Sequence, residues 1–189
     1  MPDIQETIQE TIESAGKSKI NSMVAIMVAM TATVMALCNV KDGNITQAMT
    51  QAQANTNDAW SYFQAKSTKQ EIAENTLKIL KVQKNDINRE LIKDFEQQVA
   101  RYNKEKAVIK AKAEGFQKEY DYLNLFDDQF DMTDAFLTIA IAMFGISALT
   151  QKKWLFYFAS SVSVIGMTLG LAAFMKISLH SDLLAKILG

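Results

Sequence analysis

The sequence predicts an all-α membrane protein in which three transmembrane helices carry a long antiparallel helical (coiled-coil) hairpin, inserted between the first and the second. Three observations lead there. Residues 20–40, 135–151 and 154–175 contain no charged side chain. The stretch between the first two is crowded with Lys, Glu, Asp and Gln, and its apolar residues recur every seven positions. It also divides at a polar cluster into two arms of equal length, as a chain that leaves a membrane and returns to it requires.

Averages alone describe a different molecule. With 189 residues, 20 basic and 21 acidic side chains and 49% apolar residues, the chain has the composition of an ordinary soluble protein. The average hides a partition into charge-free and charge-rich stretches. One Cys excludes an intrachain disulfide, and one His beside one Cys cannot furnish the ligands of a zinc site. A net charge of -1, with no basic block interleaved with aromatics, argues against nucleic acid as a partner.

Residues 1–19 form an N-terminal amphipathic segment, with Ile4, Ile8 and Ile12 at intervals of four and Glu6, Glu10 and Glu13 elsewhere. Its acidity argues against a cleaved signal peptide and against attraction to anionic lipid, so docking on protein is expected. The first span, residues 20–40, has 21 residues. At about 1.5 Å per residue it crosses a hydrocarbon core of roughly 30 Å. Cys38 near its end reads as a small, membrane-buried apolar residue.

After the first span, Asp42, Gly43 and Asn44 predict a break in the helix. Asn44 followed by Gln47 resembles a capping box that starts a new one. The extra-membrane hairpin is placed at residues 41–134. In its first arm Ile45, Ala52, Ala59, Ala73 and Leu80 keep a seven-residue register, with Met49, Phe63 and Leu77 between them. Thr56, Lys66, Gln70 and Lys84 fall on the same seam and make it imperfect. In the second arm Phe95, Tyr102, Ile109, Phe116, Leu123 and Phe130 repeat in sevens beside Ile92, Val99, Ala113 and Tyr120. Bulky residues facing small ones allow close packing. The turn is expected at residues 84–88, where Asn85, Asp86 and Asn88 favour it. Arms 45–83 and 89–127 then hold 39 residues each.

The second span, residues 135–151, and the third, residues 154–175, are joined by so few residues that they must run antiparallel. Lys152 and Lys153 in this link, with Lys17 and Lys19 before the first span, favour a cytoplasmic N-terminus and a hairpin on the opposite side of the membrane. Lys41, Lys176 and Lys186 oppose that orientation. Residues 176–189 form an amphipathic tail, with Leu183, Leu184, Ile187 and Leu188 suited to the bilayer interface.

The run KDGNITQAMTQAQANTNDAWSYFQAKSTKQ, residues 41–70, preceded by NSMVAIMVAMTATVMAL, residues 21–37, resembles a bacterial family known as the domain of unknown function 4337 family. The resemblance covers nearly the whole chain and centres on the W-x-Y-F/Y-Q-A-K-S signature at Trp60 to Ser67. It implies this layout and, with it, the bacterial inner (cytoplasmic) membrane. It brings no activity and no catalytic residues.

Three constellations are candidates for function. Met23, Met27 and Met30 lie on one face of the first span, where thioethers could hold Cu(I), as in three-span copper-uptake transporters that combine a Met pair with a Gly-x-x-x-Gly helix. Ordinary packing is the competing reading. Asp127, Asp128, Asp131 and Asp134 gather before the second span and could bind Ca²⁺ or Mg²⁺, or simply favour the helix dipole and mark the water boundary. Ala159, Ser163, Gly166, Gly170 and Ala173 form a small-residue stripe suited to a helix-packing interface, with the second span or with another subunit. Thr31, Thr33, Thr138, Ser147, Ser160, Ser161 and Ser163 could line a polar path or bond to their own helices. No ionisable group lies inside a span, and His180 reads as a surface residue. No nucleophile, phosphate loop or carboxylate pair suggests an enzyme or a cofactor. The expectation is therefore a non-enzymatic, homo-oligomeric membrane scaffold contacting lipid, with an unidentified protein partner possible at the hairpin. The alternative is an oligomeric pore or copper permeation protein.

Overall fold

A computed structural model describes the backbone of residues 4–82 and 89–179 and the side chains of residues 19–82 and 89–179. Three helices account for nearly all of it: α1 (Ile4–Val82), α2 (Arg89–Thr150) and α3 (Lys153–Phe174), with no strand among the described residues. Each contains a stretch long and apolar enough to cross a membrane. The turn expected at 84–88, His180 and the tail residues Leu183, Leu184, Ile187 and Leu188 lie outside the described residues. The backbone at Ile4, Ile8 and Ile12 is helical.

The break expected at Asp42, Gly43 and Asn44 does not occur, because α1 runs through it, and no helix starts at Asn44. A glycine inside a helix costs about 1 kcal/mol relative to alanine. Ending one helix and nucleating another would fix several backbone torsions for one hydrogen bond. Burial supplies the rest of the reason. Val24, Thr31, Cys38, Ile45 and Ala52 are all buried, so one seven-residue register continues from the charge-free stretch into the polar one. A helix that broke at Gly43 would lose that common face.

Cα proximity divides the chain into two compact units, one formed by residues up to Thr46 together with those from Asn124, the other by Gln47–Leu123. In the second unit the residues out of solvent are those of the predicted seams. Ala52, Thr56, Ala73, Ile109 and Ala113 are buried, with Phe63, Leu77, Phe95, Tyr102 and Phe116 half-buried around them. Lys66 pairs with Glu105 at 2.5 Å, and Lys81 with Glu96 at 2.6 Å. Gln70 donates to Asn103 at 2.9 Å. Partner numbers fall along α2 as they rise along α1. Two of the polar residues that made the first seam imperfect therefore meet polar partners. Lys66 also lies 5.3 Å from the Tyr62 ring centre and 5.4 Å from that of Tyr102. Such matched polar positions in an apolar seam favour one register over its slipped alternatives.

In the first unit, α2 ends at Thr150 and α3 begins at Lys153, so two residues reverse the chain. Gln151 makes this possible by taking a positive φ of 57°. Its side-chain amide also donates to Asn21 Oδ1 at 2.8 Å, tying the link to α1. The core here is Val24, Ala140, Phe144, Phe156 and Ala159. Phe144 and Phe156 pack with ring centres 5.7 Å apart, and Phe130 and Phe174 edge to face at 5.5 Å.

Candidate functional site: the three-helix seam and its polar ends

All five residues of the small stripe on α3, Ala159, Ser163, Gly166, Gly170 and Ala173, are buried. A Cβ added to Gly166 would stand 2.7 Å from Leu137 Cδ2 and 3.0 Å from Phe136 Cβ. One added to Gly170 would stand 2.9 Å from both Cys38 Sγ and Thr133 Cγ2. The stripe thus meets α2 and α1 of its own chain. Small residues are needed where backbones approach closely, since between apolar helices in lipid, packing takes the place of the hydrophobic effect.

Hydroxyls along the seam are largely engaged. Thr31 and Ser163, both fully buried, hydrogen-bond each other at 2.9 Å across α1 and α3. Thr33, Ser160 and Ser161 donate to carbonyls one turn back in their own helices. Ser147 reaches the Lys152 carbonyl at 3.4 Å. Thr138 is exposed on α2. The methionines do not converge inside the chain: Met27 packs on the core, whereas Met23 and Met30 are 47% and 54% exposed.

The acidic group before the second charge-free stretch has a further member that the sequence reading missed. Asp42 of α1 hydrogen-bonds Asp127, and its pKa is raised to about 6, first by burial and then by Asp127, Asp131 and Asp134. Its Oδ1 is buried without a hydrogen-bond partner. Burial, followed by Asp127, Asp128 and Asp134, also raises Asp131. Around them, the Thr46 hydroxyl lies 2.9 Å from Asp127 Oδ1, and Asn124 donates to Asp128 at 3.2 Å. Asn39, with its amide turned to satisfy its neighbours, donates to Asp134 Oδ1 at 3.2 Å. Among the described residues, no group of three His, Cys, Asp or Glu is arranged to hold a metal ion. Burial and the neighbouring carboxylates thus favour the protonated forms of Asp42 and Asp131. A signal for Asp42 was available, since it follows Thr31 and Cys38 at helical spacing and precedes Met49 by one heptad.

Gln129 was missed for a different reason. It is fully buried, donates to the Leu169 carbonyl at 2.9 Å and accepts from the Leu179 amide at 3.1 Å. One side chain thereby bonds a carbonyl within α3 and an amide beyond its end. Nothing in its sequence neighbourhood separates it from the many other glutamines of the chain.

A family model described as Domain of unknown function (DUF4337) matches residues 20–176. No curated protein and no solved structure matches the chain.

Proposed function

The chain belongs to the DUF4337 family, and from that premise we propose that it is a non-enzymatic membrane scaffold that assembles as a homo-oligomer. In this reading the charge-free parts of α1, α2 and α3 are the three spans, and Gln47–Leu123 is an antiparallel coiled-coil hairpin standing in water. The observation that carries the proposal is the surface of that second unit. Tyr62 is 52% exposed and Val108 58% exposed, and Tyr62 lines two shallow grooves, one with Ala59, Ile109 and Phe116 and the other with Val108 and Ile109. A hairpin in water gains by covering such apolar and aromatic surface, and a second copy brings the same surface. Packing within one chain uses the seam's glycines and the Thr31–Ser163 pair, which supports a structural role for the spans over a conducting one.

Light scattering of detergent-extracted protein and cross-linking in native membranes test this. The expected result is an oligomer weakened by Tyr62→Lys with Val108→Lys. A native protein that is monomeric in both measurements overturns the proposal. The rival reading, a pore or copper permeation protein, is addressed by ion flux and copper uptake in reconstituted vesicles. Flux abolished by Met23→Leu/Met27→Leu or by Asp131→Asn/Asp134→Asn would displace the scaffold.

A further inference from the structure

The end of the first unit opposite the carboxylates has the reverse charge and a groove. Lys19, Ile20 and Met23 of α1 face Lys153, Phe156 and Tyr157 of α3 across a cleft of about 250 Å³. Both lysines are exposed, and none of the described residues lining the cleft is acidic. Ile20 and Trp154 open the charge-free stretches of their helices, so the lysines stand where polar sequence meets apolar sequence. Trp154 and Tyr157 are each 64% exposed beside them. Aromatic side chains of this kind concentrate at the headgroup level of a bilayer.

We propose that this groove binds the headgroup of an anionic phospholipid, its phosphate held by Lys19 and Lys153 and its first methylenes lying on Ile20, Met23 and Phe156. The inference rests on the membrane reading given above. Charge complementarity selects the ligand, because two ammonium groups in a cleft without a described carboxylate leave a positive site that a phosphodiester neutralises. Size agrees. A whole drug-sized molecule needs roughly 300–1,000 Å³, whereas a cleft of about 250 Å³ suits a headgroup and the start of its chains. The apolar floor separates a lipid from a free phosphate, which would gain nothing from Ile20, Met23 or Phe156. At the other end of the unit Lys41 and Lys176 stand among the carboxylates of Asp42, Asp127, Asp131 and Asp134, which offset their charge.

Trp154 reports on the site directly. The chain has two tryptophans, so Trp60→Phe leaves it as the sole emitter. Full-length protein with that substitution is reconstituted in phosphatidylcholine containing a minor fraction of brominated phosphatidylglycerol, and quenching is compared with that from an equal fraction of brominated phosphatidylcholine. Enrichment of phosphatidylglycerol at Trp154 is expected, falling roughly five-fold for each lysine removed. Lys19→Gln/Lys153→Gln abolishes it, Lys19→Arg/Lys153→Arg retains it, and Lys176→Gln leaves it unchanged. Equal quenching by the two lipids, enrichment that survives the double Gln variant, or displacement by soluble glycerophosphate overturns the site. Absence of quenching in fully brominated phosphatidylcholine instead shows that the chain is not inserted, and overturns the membrane reading together with the site.

Discussion

Replacing Gly166 by alanine adds one methyl group at the closest point between α2 and α3. That methyl would lie 2.7 Å from Leu137 Cδ2, 3.1 Å from Leu137 Cγ and 3.0 Å from Phe136 Cβ, against an optimum of roughly 3.5–4.0 Å between carbons. Leu137 is fully buried, and the Phe136 Cβ moves only with its backbone. The helices must therefore part by about 0.5–1 Å, a gap that forfeits roughly a quarter to a half of each contact it opens. Overpacking of this kind costs about 1–3 kcal/mol. Alanine's better helix propensity returns at most about 1 kcal/mol. The expected net loss is up to about 2 kcal/mol once the full propensity gain is subtracted. Gly145→Ala is the internal control, since its added Cβ meets nothing within 4 Å and only the propensity gain applies. Unfolding in mixed micelles, followed by circular dichroism, should separate the two variants by the overpacking cost alone, about 1–3 kcal/mol, with Gly145→Ala the more stable. The sole cysteine gives an independent readout, because buried Cys38 should react faster with a membrane-permeant maleimide when the seam opens. A Gly166→Ala protein as stable as Gly145→Ala, with Cys38 labelling unchanged, would refute the close approach.

Three further outcomes follow from the same unit. Thr31→Val and Ser163→Ala should be coupled in a double-mutant cycle by about 0.6 kcal/mol, the mean for buried interhelical hydrogen bonds in membranes; additive losses would mean that the 2.9 Å contact contributes nothing. Gln129→Leu should destabilise by about 1 kcal/mol, because the Leu179 amide loses its partner and the Leu169 carbonyl its second donor, and chemical denaturation checks it. For Asp42 the folded pKa, about 6, lies above the ordinary carboxyl value of 3.8, so the native state holds the extra proton and stability falls as pH rises through that window. Asp42→Asn should then match the native protein near pH 4 and exceed it at pH 7.5 by about 1 kcal/mol, a figure reduced for partial solvent screening. A stability difference independent of pH would contradict the raised pKa.

Periodicity and charge determined a good deal of this protein without any coordinates. Charge-free runs identify which parts of α1, α2 and α3 are apolar enough to cross a membrane, and the seven-residue spacing from Phe95 to Phe130 identifies the face of α2 that is out of solvent. The small stripe from Ala159 to Ala173 was legible as a packing face for the same reason. One misreading came from treating Asp42, Gly43 and Asn44 as local signals, when the Val24, Thr31, Cys38 and Ile45 register already ran through them. A local propensity of about 1 kcal/mol does not outweigh a face shared over several turns.

What only the tertiary structure decided is the identity of partners. A stripe of small residues has the same pattern whether it faces another subunit or its own chain, since periodicity specifies a face and carries no information about what meets it. The placement of Leu137, Thr133 and Cys38 against Gly166 and Gly170 depends on helix separations of a few tenths of an ångström. The same holds for the polar groups. Asp42 is pushed up to about 6 first by burial and then by the Asp127 and Asp131 that α2 brings to it, and Gln129 matters because Leu169 of α3 and Leu179 beyond it present backbone groups within its reach. Both depend on juxtapositions between residues far apart in the chain: the register marks Asp42 as lying on the packed face, but what meets it there, and what meets Gln129, is set by positions in space.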